Sequence, residues 1–245
     1  METAEHLHVL DTEGRRLAVA AEQAGVDAKV PTCPGWQIRD LLRHTGMVHR
    51  WAAAHVAEEH REPQPDGGLP DLDGEELLDW FRRGHTYLVD TLTQAPPTVS
   101  CWSFLPAPSP LAFWARRQAH ETTVHRVDAQ SALTTAQDPI AEDVAVDGIE
   151  ELLLGMHARK KSQVRSDEPK VLRVRATDAD ATWTVRITQD PPATERGGAG
   201  EADCELAGPA ARLYLSLWNR LPFPSLTGDA AVAALWRERS AITWG

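Results

Sequence analysis

Two imidazoles and one carboxylate, His44, Glu121 and His125, have the types and spacing that suit metal chemistry. Glu121 and His125 stand four apart in HETTVHRVDAQ, a stretch that reads as helix. Four residues turn a helix by about 400°, so both side chains leave one face, about one turn apart. His44 comes from an earlier helical stretch, PTCPGWQIRDLLRHTG. Two histidines and a carboxylate suit a divalent transition metal and leave coordination positions vacant, as a catalytic ion requires and a structural one does not. Spacing alone also admits a plainer reading. The chain has ten histidines, and polar pairs four apart are common on solvated helices. His49 lies about 140° around the helix from His44, and His120 is likewise turned away from His125. Neither shares a face with its neighbour.

The elements that must position these residues follow from hydrophobic period and end signals. Residues 3–24 carry Leu7, Leu10, Leu17 and Ala21 at near-helical spacing, with Gly25 as a C-terminal stop. The extended VPTCPG leads into a second helix over 36–60, with Ile38, Leu41, Leu42 and Val48 inward. EPQPDGGLPD is a loop by its Pro and Gly content. Asp73 followed by Glu76 resembles a capping box opening a third helix to about Leu92. The Pro-rich QAPPTVSCWSFLPAPSP is too long for a tight connection and is a candidate rim for a site. Ser109 and Pro110 cap and open a fourth helix to about Leu133, and a fifth runs from Ile140 to about Arg159. Long amphipathic helices with an inward polar cluster describe a bundle.

Near Lys160 the pattern changes. KVLRVRATD and ATWTVRITQD alternate apolar and polar side chains, DCELAG is a shorter third strand, and GPAARLYLSLWNR and GDAAVAALWRERS read as helices. The expected organisation is α+β in two domains, a helical bundle over 1–160 and a small α+β domain over 161–245, joined through KKSQVRSDEPK.

At 245 residues, 42% hydrophobic and 25% charged, the chain can build real cores. A formal net charge of −11 argues against a nucleic-acid partner, which needs a basic face. Cys33, Cys101 and Cys204 are odd in number and widely spaced, with no CxxC, which predicts free thiols and a reducing, cytoplasmic setting. METAEHLHVLDTEGRRLAVA lacks the basic start and apolar run of a signal peptide, and no stretch approaches a membrane span.

VPTCPGWQIRDLLRHTGMVHRWAA followed by FWARRQAHETTVHRVDAQSA resembles the mycothiol-dependent maleylpyruvate isomerase family. The combination is specific: a PGW turn, D-L-x-x-H, then R-x-x-H-E-x-x-x-H-R-x-D. The resemblance implies a DinB-like four- or five-helix bundle followed by a C-terminal α+β domain shaped like a sterol-carrier module. It implies that His44, Glu121 and His125 are metal ligands, usually for zinc, and that mycothiol is the co-substrate. Asp128, near one turn beyond His125, then reads either as a support for that imidazole or as an ordinary surface contact. Arg116 and Arg117 are candidates to grip a substrate carboxylate, or to pair with acids between helices. Arg220 sits where the family's second domain offers an arginine, although Asn219 stands where that family often has glycine. Pro34, Gly35 and Trp36 read as turn geometry at the entry of the ligand-bearing helix. Trp51, Trp80 and Trp236 read as packing anchors, and Trp102, in the long loop, as the tryptophan lining a pocket.

A metal with open positions binds a thiol and forces its deprotonation. The expected function is attack of mycothiol on a small-molecule electrophile. Loss of the thiolate after bond rotation gives cis–trans isomerisation, and retention gives S-transfer. Nothing in the residues singles out maleylpyruvate, and the expected state is a monomer or weak oligomer. Three rivals stand beside this reading: a metal-dependent hydrolase, an iron(II) oxygenase with the same donor set, and a non-catalytic metal- or thiol-sensing protein.

Overall fold

The computed structural model describes residues 1–242. The chain divides into two compact units, Met1–Asp138 and Pro139 onward. The first holds four helices, α1 (Thr3–Ala24), α2 (Ile38–Ala57), α3 (Gly74–Gln94) and α4 (Pro110–Ser131). α1 packs mainly on α4, and α2 on α3. Their ends follow local chemistry. Glu2 with Glu5, and Gln37 with Asp40, close reciprocal capping boxes on α1 and α2. Asp73 caps α3 by accepting from the Gly74 amide at 2.9 Å, and its other oxygen pairs with Arg39. Ser109 Oγ accepts from the Ala112 amide at 3.1 Å, with Pro110 in the first turn of α4.

The apolar core of this unit is built from Leu17, Ile38, Leu41, Leu42, Leu77 and Phe81. α4 departs from the amphipathic pattern, because it is buried on every face from Phe113 to Ala129 apart from the half-buried Arg116. Its buried set includes Arg117, His120, Glu121, His125, Arg126 and Asp128. Charged side chains are seldom fully buried without partners, so a helix of this kind must satisfy them internally. Arg126 shows how, with Nε donating to Glu13 at 2.5 Å and a second nitrogen to the Asp138 carbonyl at 2.8 Å.

The second unit begins with α5 (Glu142–Glu150), which runs into a π-helical segment over Glu151–Met156. A single uniform fifth helix to Arg159 is therefore not what forms. That helix also belongs here, where it packs on α6, rather than to the bundle. The unit's sheet contains β1 (Lys170–Ala176), β2 (Thr182–Ile187), β3 (Ala193–Arg196), β4 (Cys204–Gly208) and β5 (Leu226–Gly228), in the order β3-β2-β1-β4-β5. β1 pairs parallel with β4, and the other pairs are antiparallel. Leu172 stands opposite Val185 and Val174 opposite Trp183, which puts the buried side chains of both strands on one face. α6 (Ala210–Leu217) and α7 (Ala230–Arg239) supply Leu213, Leu217, Val232 and Trp236 to the core. The three strands expected from alternation are present. β3 and β5 are short sheet edges with mostly exposed residues, and they carry no alternating signal.

Among the described residues, no helix is long and apolar enough to cross a membrane.

Candidate metal centre

α2 and α4 bring His44, Glu121 and His125 together inside the first unit, with one donor atom from each lying within 4.8 Å of the others. Glu121 Oε1 is 3.4 Å from His44 Nε2 and 3.2 Å from His125 Nε2. Hydrogen bonds between charged partners are shorter, about 2.7–2.9 Å. Two ligands on one tetrahedral ion, with bonds of about 2.0–2.1 Å, stand about 3.3 Å apart. The separations therefore suit a shared cation, and the donor set fits a divalent metal.

Glu121 and His125 are each held from behind. Arg117, buried, donates to Glu121 Oε2 at 3.1 Å, so the carboxylate turns its other oxygen toward the imidazoles. Asp128, fully buried, places Oδ2 2.9 Å from His125 Nδ1, which leaves Nε2 for the centre. Asp128 Oδ1 in turn accepts from Thr32 Oγ1 at 2.7 Å. Thr32 belongs to the turn before α2, and its hydroxyl also lies 3.1 Å from Ser131 Oγ.

The electrostatics favour a cation at this point. Burial pushes Glu121 up, yet its bonds to His125 and His44 and the charges of His125 and Arg117 hold it well below the usual carboxylate range. Burial likewise disfavours a charged His125, but hydrogen bonds to Asp128 and Glu121 and their charges raise it to about 9. A buried imidazole between two carboxylates is a place where positive charge is stabilised.

Trp36 borders both imidazoles. Its ring centroid is 5.2 Å from that of His44 at an interplanar angle of 61°. It is 6.4 Å from that of His125, close to parallel at 19°. The turn reading of Pro34-Gly35-Trp36 holds for the backbone, since Gly35 has a φ of 90° and the Trp36 amide donates to the Cys33 carbonyl at 3.0 Å. The reading missed the indole's place beside the ligands. Thr32 was missed as well, because its partner lies 96 residues away in sequence and no local spacing encodes the pairing.

The other named residues lie as follows. Arg116 is half-buried on α4. Arg117 donates to Glu121, four residues along its own helix, a pairing that the spacing reading did not offer. Trp102 stands in an aromatic cluster, its ring 5.8 Å from Trp51, 5.3 Å from His55 and 6.2 Å from Trp114. The tryptophan at the triad is Trp36. Arg220 lies in the second unit and donates to the Trp218 carbonyl at 2.9 Å. Asn219 has a φ of 61°, in the left-handed region. Asparagine is among the few residues other than glycine that tolerate that conformation. His49 is buried with Nε2 2.9 Å from Thr122 Oγ1, and burial and the charge of His85 hold it well below its ordinary value. His120 packs edge-on against His6, with centroids 6.0 Å apart.

Residues 7–130 match the model of the mycothiol maleylpyruvate isomerase N-terminal domain, and residues 143–235 match the corresponding C-terminal domain. Two crystal structures of the mycothiol-dependent maleylpyruvate isomerase share the fold. One, of a mutant, is 12% identical with a TM-score of 0.63 over 90% of each chain. The other is 12% identical with a TM-score of 0.59 over 89% of each chain. No curated protein matches the sequence. With both domain models matched in order along its length, the chain belongs to the mycothiol-dependent maleylpyruvate isomerase family.

Proposed function

We propose that this protein is a metal-dependent enzyme that activates mycothiol for attack on a small electrophile, by S-transfer or cis–trans isomerisation. The convergence of one Glu121 oxygen on two imidazole nitrogens at 3.4 and 3.2 Å carries this reading. His44 Nε2, Glu121 Oε1 and His125 Nε2 would hold the ion, and the donor set favours zinc. Such an ion, when bound, supplies a Lewis acid that makes a coordinated thiol a thiolate at neutral pH.

The chain's own residues supply the rest. Arg117 fixes the orientation of Glu121, and Asp128 fixes the tautomer and tilt of His125. An ion taking the place of the proton that His125 otherwise carries would sit among two imidazoles and a single carboxylate, and the net positive charge left there would favour an anionic sulfur. Burial of Glu121 and His125 keeps the local dielectric low and strengthens that attraction. The thiol proton passes to solvent, and sulfur bonds to one carbon of an activated double bond. The π pair of that double bond shifts onto the adjoining carbonyl, which takes up a proton when the adduct is kept. In S-transfer the new C–S bond persists. In isomerisation it breaks again after rotation, and the thiol is returned unchanged.

Elemental analysis of the purified protein beside His44→Ala and His125→Ala tests the centre. Near-stoichiometric zinc in the parent, lost in both variants, is the expected result. Absence of metal after reconstitution with zinc, nickel and iron would remove the mechanism. Thiol titration and isomer analysis with mycothiol and a panel of electrophiles then separate S-transfer, which consumes thiol, from isomerisation, which does not. Metal without turnover in either assay would leave a binding protein.

A further inference from the structure

We propose that Trp36 is a positioning residue of the metal centre, its indole setting the orientation of both ligand imidazoles. This inference rests on the metal-centre reading above. His44 and His125 face each other nearly perpendicular, with centroids 5.2 Å apart and planes at 80°. Trp36 lies beside each of them, near-parallel to His125 with centroids 6.4 Å apart and tilted at 61° to His44 with centroids 5.2 Å apart. A bulky ring packed beside both imidazoles limits the rotation of each about its Cβ–Cγ bond.

Such a role needs a fixed backbone, and the turn supplies one. The Trp36 carbonyl accepts from the Val30 amide at 3.0 Å, and its own amide donates to Cys33 at 3.0 Å. Lys29 and Gln37 form an isolated antiparallel bridge around it. Immediately afterwards Ile38 donates to the Ala28 carbonyl at 2.9 Å and α2 begins. The same turn reaches the centre a second way, through Thr32 on Asp128 and Asp128 on His125 Nδ1. One short segment therefore bears on His125 through both Trp36 and Asp128, and on His44 through Trp36. Trp36 also packs against the apolar core, so a purely structural role is the competing account.

Cobalt(II) uptake separates the two, because its visible bands report the number and arrangement of ligands, whereas thermal unfolding reports packing. The parent is compared with Trp36→Phe, Trp36→Leu and Trp36→Ala, with His44→Ala as the control for the centre. The expected result is a parent-like spectrum in Trp36→Phe. In Trp36→Leu and Trp36→Ala the bands should shift or weaken, and cobalt affinity should fall by about tenfold, the low end for losing a ligand-orienting neighbour. Parent-like bands and affinity in Trp36→Leu and Trp36→Ala, with only a lowered Tm, would overturn the proposal. If Trp36→Ala does not fold, Trp36→Leu, which keeps apolar bulk in the turn without a ring plane, decides the matter. A parent that shows no cobalt bands dependent on His44 defeats the metal-centre reading itself, and this proposal with it.

Discussion

At the scale of single residues, the candidate centre depends on partners outside its donor set. Asp128 is the clearest case, lying buried between Thr32 Oγ1 and His125 Nδ1. Asp128→Asn keeps the volume and loses the charge that orients and polarises the imidazole. Metal affinity, measured by competition with a chelator, should drop about 10–100-fold while the fold is retained. Arg117 predicts a different signature, because its loss leaves the Glu121 carboxylate buried with one fewer cation. Removing one member of a buried pair typically costs about 3–5 kcal/mol. Arg117→Met should lower the stability of the metal-free protein by an amount in that range in urea denaturation. Added zinc should restore part of it, since the ion neutralises the same carboxylate. Equal destabilisation with and without zinc would separate Arg117 from the centre.

At the scale of elements, glycines decide how closely α2, which carries His44, approaches α3. A Cβ on Gly46 of α2 would overlap the Trp80 ring of α3, and one on Gly84 of α3 would overlap the Arg50 guanidinium. Arg50 lies 3.7 Å over the Trp80 ring and donates to the Gly46 and Trp80 carbonyls at 3.0 and 2.6 Å. Burial and the neighbouring Arg83 charge lower its pKa to about 10. Alanine gains up to about 1 kcal/mol over glycine in a helix, but overpacking costs about 1–3 kcal/mol. Arg50 over the Trp80 ring opposes its displacement from Gly46, so the overlap wins. Gly46→Ala should destabilise the protein by about 1–2 kcal/mol by chemical denaturation, and metal affinity should fall with it because His44 lies two residues away. A rise in Tm would refute the close approach.

At the scale of the whole molecule, a buried histidine in the second unit couples folding to pH. His157, in the second unit, is buried with Nδ1 3.0 Å from Ser162 Oγ and its ring 4.7 Å from that of Trp236. Burial, and then the charge of Arg165, lower its pKa to about 4. The neutral form is therefore the folded form. Its contribution to stability is complete above the unfolded value of about 6.5 and is lost as pH falls toward 4. The loss should reach about 3 kcal/mol by pH 4, at about 1.4 kcal/mol per pH unit. His157→Gln should flatten the pH dependence of unfolding between pH 6.5 and 4.5. An unchanged slope would show that the imidazole does not titrate in this way.

The sequence by itself determined what depends on near neighbours. Helix starts at Ser109-Pro110 and Asp73, the i,i+4 pairing of Glu121 with His125, and the alternation of β1 and β2 follow from spacings of a few residues. The tertiary structure alone decided what depends on distant partners. β3 and β5 are strands because neighbouring strands offer them hydrogen bonds. The fifth helix belongs to the second unit because its packing partner, α6, lies there. α4 gives little amphipathic signal because it is buried on nearly every face, so its polar residues had to find partners inside the protein. Arg117 found Glu121 within its own helix, whereas Thr32 and Trp36 reached α4 from a turn remote in sequence. Period and caps encode local geometry, but the separation of residues along a chain carries no information about which of them folding brings into contact.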